Sequence, residues 1–234
     1  MKVAIHQPNF LPWMGYFYKI AQCDAFVFFD TAEYTKRSYI RRVKIHKPRQ
    51  KDQEQYLIVP LKKHSDYAKI NELQIHDSDR WNQKILAQIY ETYHRAKYYH
   101  QLEGVLQLIS ESDANEVSFS ELTSTIIRET SQLLGIEADW YYAHDMNVQS
   151  HKAQANIDMV QGIGGDLYIS GQGAKKYQLE SEYADRGIRM VYSDFGEKFD
   201  SLDVPKHMFN KSIIAWLALI DVTELQEILG GRQG

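Results

Sequence analysis

The chain has 234 residues, of which 44% are hydrophobic and 25% charged, and carries a formal net charge of -4. Such a chain can bury a core of its own, and its charge argues against bulk coating of nucleic acid, which needs a basic surface overall. One cysteine, Cys23, rules out an internal disulfide and a Cys-based zinc site; with no signal-type start and no apolar run near twenty residues, a cytoplasmic protein without a membrane span is expected.

The first thirty residues read as strand, turn, helix and strand. "KVAIH" is β-prone, "PWMGYFYKIAQ" places Trp13, Tyr16, Phe17, Ile20 and Ala21 on one helical face, and "AFVFF" is continuously apolar. This predicts a βαβ unit with a buried parallel sheet, and Pro12 suits the first helical turn. "SYIRRVKIH" and "QYLIVPLKK" flank the turn-prone "KPRQKDQ", which predicts a β-hairpin. A helical lobe over roughly 78-135 follows, with Trp81, Ile85, Ile89 and Tyr93 at four-residue spacing and further helices near 102-112 and 118-134. "ADWYYAHDM" returns as a strand. The helix "KAQANIDMVQGI" ends at Gly164 and Gly165, and strand "DLYIS", loop "GQG", helix "AKKYQLESEYADR" and strand "IRMVYSDF" complete a second unit. The fold class expected is α/β, a single domain over 1-234 whose parallel sheet carries a hairpin and an inserted helical lobe.

Ligands of open parallel sheets bind beyond the carboxyl ends of the strands. That rule gathers His6, Gln7 and Asn9 after the first strand, Asp30 after the second, and Ser170, Gly171 and Gly173 after a later one. His6 is the candidate general base, with Asp30 as its orienting carboxylate; the competing reading is a histidine that only bonds a turn. Gln7 and Asn9 suit a polar substrate, and Asn9 equally suits a helix cap. "YISGQGAKKY" fits either an anion site, with Ser170 and Lys175 or Lys176 close by, or a tight turn. Eight Lys or Arg residues lie between Lys36 and Lys51 with no acid among them, which suits a phosphorylated group, an acidic partner or simply a solvated face. The other histidines show no metal spacing, and His144 reads as structural or exposed. Cys23 reads as a small buried residue.

"IHQPNFLPWMGYFYKI", "DAFVFFD", "KRSYIRR", "LIVPL" and "LYISGQGAKKY" together resemble the WbqC-like protein family, from residue 3 to about 220. The resemblance places His6, Gln7, Pro8, Asn9, Pro12, Trp13, Gly15 and Tyr16 in the opening signature. It places Lys36, Arg37 and Ser38 in a basic segment, and Tyr168, Ser170, Gly171, Ala174 and Tyr177 in a late one. Two positions depart from the family pattern: Arg41 stands where an asparagine is usual, and Ala215 where an aspartate is.

Family members accompany surface-polysaccharide, O-antigen and nucleotide-sugar pathways. The resemblance implies a pathway more than a reaction; that pathway context and the site residues together point to a transferase acting on a nucleotide-linked amino sugar, by acyl or aminoacyl transfer. His6 and Asp30 would be catalytic. Gln7, Asn9, Lys36, Arg37, Tyr168, Ser170, Gly171, Gly173 and Tyr177 would bind a phosphorylated or nucleotide-linked small molecule. A non-catalytic protein that recognises a phosphorylated glycan intermediate or an acidic acyl carrier protein is the alternative. The layout also resembles HUP-class, Rossmann-like nucleotidylyltransferases, whose H-x-G-H slot here reads Trp13, Met14, Gly15, Tyr16, without either imidazole. The resemblance names no cofactor, and no residue is singled out as a metal ligand.

Overall fold

The computed structural model describes residues 1-36, 38-76, 80-175 and 178-230. In chain order the elements are β1 (Lys2–His6), α1 (Met14–Ile20), β2 (Ala25–Phe28), β3 (Arg42–Lys47), β4 (Gln50–Ile58), α2 (Trp81–Tyr93), α3 (Glu103–Glu111), α4 (Phe119–Leu133), β5 (Asp139–Tyr142), α5 (Lys152–Gly162), β6 (Leu167–Gly171), α6 (Glu180–Ala184), β7 (Arg189–Ser193), α7 (Phe195–Asp200), α8 (Ile213–Leu219) and α9 (Val222–Ile228).

Five strands form one parallel sheet in the order β5-β2-β1-β6-β7, and β3 with β4 forms a separate antiparallel hairpin. The chain builds outward from β1 in one direction to β5, then returns to β6 on the other side. The order therefore reverses between β1 and β6, where the connections leave to opposite sides and a crevice opens at the strand ends.

Residue alternation decides what each strand end offers. Val3 and Ile5 pack with Ala25, Val27, Tyr168 and α5 on one face, while Ala4, Phe26, Phe28 and Ile169 pack with α1 and the helices on the other. Each large apolar side chain so removed from water contributes about 1.5–3 kcal/mol. Helix α1 is hidden nearly all round: of its residues only Tyr18 is partly exposed. The predicted apolar face of Trp13, Phe17 and Ile20 is real, but it is part of a helix embedded in the core.

The helices of the region 78-135 share their apolar core with α8 and the hairpin. The hairpin turn is tighter than "KPRQKDQ" suggests, since β4 begins at Gln50 and Arg49 takes a left-handed φ of 60°. Pro12 lies two residues before α1, outside its first turn, and α6 covers only the Glu180–Ala184 part of the predicted helix of 174-186, of which 176-177 lie outside the described residues. Among the described residues no helix is long and apolar enough to cross a membrane.

Candidate functional site

Two adjoining chambers open at the sheet's carboxyl edge, beside the reversal between β1 and β6. The first, about 400 Å³, is lined by His6, Trp13, Lys19, Gly171, Gly173 and Asp194 among others. The second, about 450 Å³, is lined by His6, Gln7, Asn9, Trp13, Tyr39 and Phe209 among others. They meet at His6, Trp13 and Phe209. Two larger hollows, about 490 and 640 Å³, lie at the amino edge beside Asp24 and Asp139 and beside Arg49 and Tyr90, where no parallel strand ends. The crevice rule favours the smaller pair.

His6 points to the α1 face because it alternates with Ile5, and its ring packs edge-on to Tyr16 at 4.6 Å. Its Nδ1 lies 3.0 Å from the carbonyl oxygen of Gln7, which also accepts from the Tyr16 hydroxyl at 3.0 Å. A carbonyl can only accept, so Nδ1 carries the hydrogen and Nε2 keeps its lone pair. Burial, and then the Lys19 charge, lower the His6 pKa to about 3 against the weaker opposing pull of the Gln7 bond. The imidazole is therefore neutral at physiological pH and suited to accepting a hydrogen bond; its titration lies far below the operating range expected of a general base.

Lys19 is the residue that sequence reasoning missed. It is 4% exposed, donates to the Ile5 carbonyl at 2.9 Å, and among the described residues has no second hydrogen bond and no carboxylate in ion-pair range. Burial lowers its pKa to about 7, with Cys23 opposing. A signal was present: Lys19 is the one charged residue between Phe10 and Cys23. Facing it across the first chamber are Gly171 and Gly173, where a Cβ would meet nothing within 4 Å, so the backbone stands open to the cleft. Asp194 lines the same chamber, but its oxygens accept from Gln172 Nε2 at 2.9 Å and from the Glu197 N–H at 3.0 Å.

The loop from β1 to α1 is held from a distance. Leu11 is a buried non-glycine residue at φ 44°, a conformation that costs about 1–3 kcal/mol. It is secured because Ser212 Oγ donates to the Leu11 carbonyl at 2.8 Å, Ile213 N–H to Pro12 at 2.8 Å, and Phe10 N–H to Ile40 at 2.7 Å. These bonds set Trp13, whose indole contacts Phe209 at 5.2 Å and Phe195 at 5.5 Å. The indole also covers Gly15, where a Cβ would come within 2.5 Å of the ring. Gly15→Ala is therefore expected to drive Trp13 out of place, at about 1–3 kcal/mol of stability, and to change tryptophan emission in the folded protein. An unchanged spectrum and melting temperature would refute this packing.

The other predicted residues divide. Gln7 and Asn9 line the second chamber, and Asn9 Oδ1 is buried without a hydrogen-bond partner among the described residues. Asn9 does not cap α1, whose N-cap is Trp13. Ser170 and Tyr168 turn to the opposite face of the sheet: Ser170 is 1% exposed and donates to Gln178 at 2.6 Å, and Tyr168 stacks on Tyr183 at 5.2 Å. Both are engaged in packing there, because β6 alternates and only its odd residues share the His6 face. Asp30 does not meet His6; its carboxylate lies 2.5 Å from His144 Nδ1 and accepts from the His144 N–H at 3.2 Å. Lys36 is exposed and paired with Asp66 at 2.6 Å. Arg37 and Tyr177 lie outside the described residues.

The basic hairpin spends much of its charge internally. Lys44 pairs with Glu54, Arg41 donates to the Val59 carbonyl, and Arg42 lies over the Tyr39 and Tyr56 rings. Of the two positions that depart from the family pattern, Arg41 takes this structural role and Ala215 is fully buried in α8. Cys23 is buried, and burial raises its thiol to about 12. Among the described residues no group of three His, Cys, Asp or Glu side chains could hold a metal ion.

The model of the WbqC-like protein family matches residues 7–225. A similar protein is "Uncharacterized protein Rv1507c" of Mycobacterium tuberculosis (strain ATCC 25618 / H37Rv), 27% identical over 195 residues that cover 83% of this chain and 82% of that protein. No solved structure matches. The matched region takes in both chambers except His6, from the Gln7 strand end through Lys19 to the glycine turn and Phe209, and its extent makes this chain a member of the WbqC-like protein family.

Proposed function

We propose that this protein binds a phosphorylated, nucleotide-linked amino sugar in the two-chambered cleft and transfers an acyl or aminoacyl group to it during surface-polysaccharide formation. The observation that carries the reading is the pairing of a buried Lys19 amine, without a carboxylate partner among the described residues, with an aromatic wall of Trp13 and Phe209 at the junction of the chambers and Tyr39 in the second. A phosphate beside Lys19 supplies the acceptor that its remaining N–H groups lack, and a charge-assisted bond in a partly dry cleft is worth more than one at the surface. The open backbone at Gly171 and Gly173 leaves room for it. A sugar or base ring stacks on the indole, and its polar groups meet His6 Nε2 and the unpartnered Asn9 Oδ1.

The low pKa of His6 favours a second reading, a binding protein that needs no titrating group in the cleft. Calorimetric titration separates the outcomes. UDP-N-acetylglucosamine is expected to bind, UDP more weakly, and free N-acetylglucosamine not at all. Equal binding of the free sugar, or no binding of any of the three, would defeat the cleft assignment. Binding of a UDP-linked amino sugar with no turnover when an acyl thioester is added would select the second reading.

A further inference from the structure

A second constellation stands on the same edge of the sheet, at the ends of β2 and β5, on the opposite side of β1 from β6. His6, Phe28 and Tyr142 are level across β1, β2 and β5, and Asp30 and His144 each lie two residues beyond their strand's member of that row. Asp30 is 1% exposed, yet its carboxylate receives two hydrogen bonds from one residue, the His144 backbone N–H at 3.2 Å and Nδ1 at 2.5 Å. The His144 side chain is 45% exposed. The buried oxygen fixes the tautomer with hydrogen on Nδ1, holds the ring's orientation and leaves Nε2 at the surface with its lone pair. An exposed carboxylate, Asp145, lies 3.4 Å from Nε2; being an acceptor only, it pairs with that nitrogen once Nε2 has taken up a proton, and Tyr142 packs beside the ring at 5.3 Å.

Burial raises the Asp30 pKa, and the His144 bonds oppose that shift. A carboxyl placed out of water is costly unless a partner repays it, and a structural purpose would be met by any buried donor. Here the partner is a half-exposed imidazole whose other nitrogen faces outward, which is the arrangement that strengthens a general base or nucleophile.

We infer that Asp30 and His144 form a proton-transfer dyad in which Nε2 of His144 activates an O–H or N–H nucleophile for attack on an activated acyl group. Nε2 takes the nucleophile's proton as its oxygen or nitrogen bonds to the acyl carbon. The bond from acyl carbon to leaving group then breaks with its electron pair, and the imidazolium returns the proton to the leaving group. His144 is the catalytic residue and Asp30 the positioning one. The inference rests on the acyl-transfer reading and gives it a base at a distance from His6 of about 10 Å or more, two strand spacings away, which a nucleotide-linked substrate can bridge.

Hydrolysis of p-nitrophenyl acetate by the full chain tests the dyad without any nucleotide sugar. Nε2 adds to the acetyl carbon, p-nitrophenolate leaves with the C–O electron pair, and water then hydrolyses the acetylimidazole to acetate and free imidazole. His144→Gln is expected to lower the second-order rate at least tenfold. Asp30→Asn is expected to lower it at least fivefold and to shift the midpoint of the pH-rate profile downward, which a merely structural carboxylate would not do. His94→Gln serves as the control, because His94 is an exposed imidazole whose Nδ1 lies 2.7 Å from the Tyr90 carbonyl, with no carboxylate behind it among the described residues; its rate should stay within twofold. A His144→Gln rate within twofold of the parent overturns the proposal, and so does an Asp30→Asn rate and profile identical to the parent in a protein with unchanged circular dichroism. Either result leaves the calorimetric test of the cleft standing, and a failed titration leaves this one standing.

Discussion

Lys19→Met is expected to weaken UDP-N-acetylglucosamine binding by about 10- to 100-fold while leaving the protein folded. The loss corresponds to one charge-assisted hydrogen bond, about 1.5–3 kcal/mol. Folding should survive because Met fills similar space on an α1 face that is otherwise apolar, and exchanging a buried charge for a hydrophobic side chain is often neutral or stabilising. The pH dependence supplies a second readout. Free Lys19 loses its proton near pH 7, so the parent's affinity should fall as pH rises above about 7, approaching tenfold per unit until the pKa of the bound state is reached. The variant should show no such fall.

Stability moves the other way. Between about pH 7 and the ordinary lysine range the unfolded chain binds a proton that native Lys19 does not, so this group's contribution to stability rises with pH over that window. Above about pH 9 Cys23 acts oppositely, since the native thiol keeps its proton up to about 12. Calorimetry at pH 6, 7 and 8 with denaturant melts at the same pH values checks the opposite signs expected of Lys19 for affinity and for stability. A variant with parental affinity and parental pH dependence would remove Lys19 from the binding site.

Glu54→Gln should lower stability by about 2–3 kcal/mol, which for a chain of this size is a drop in melting temperature of about 5–10 °C. Glu54 accepts from two lysines, Lys44 at 2.7 Å and Lys211 at 2.6 Å, and Lys211 is only 2% exposed. Removing the carboxylate charge strands a buried ammonium beside Asn210, which is the costly way to break such a pair; the partial exposure of Glu54 keeps the figure below that of a fully buried pair. Lys211→Met, which removes the buried charge itself, should cost less. The lysines hold the Glu54 pKa at about 2, below its ordinary value of 4.5. The contribution is thus complete above about pH 4.5 and is lost as pH falls toward 2.

The same substitution reaches the cleft. Lys211 precedes Ser212, whose backbone N–H donates to Lys44 and whose hydroxyl holds Leu11 in its left-handed turn. Loosening that tether should release Trp13 and weaken ligand binding along with the fold. Chemical melts at pH 7 and pH 4 compare the variants, and a Glu54→Gln protein as stable as its parent at both would show that Lys211 finds another partner.

The strands of the sheet were legible because parallel strands buried on both faces appear as short apolar runs, as in Ala25 to Phe28 and Leu167 to Ile169. The hairpin and the helices near 81-133 were legible from alternation and from four-residue spacing. The site was legible only as a set of strand ends. His6, Gln7, Asn9, Gly171 and Gly173 reach the chambers, whereas Ser170 belongs to the wrong face by one residue of alternation. The chamber lining does not stop at the strand end: Trp13, Gly15, Tyr16 and Lys19, all beyond Phe10, line the first chamber as well. Helix α1 lies against the strand end, so its buried side is also the chamber wall.

Composition, periodicity and the opening signature thus determined by themselves the α/β class, the strand sequence and the family, because each depends on local pattern or on residues contiguous in the chain. Which polar groups meet was decided by tertiary structure alone. Asp30 finds His144 across 114 positions of sequence, Leu11 finds Ser212 across 201, and Lys19 owes its low pKa to the absence of water around an amine whose sequence neighbours do not reveal that burial. Hydrogen bonding and desolvation depend on distance in space, and the sheet order that sets those distances is a property of the whole chain.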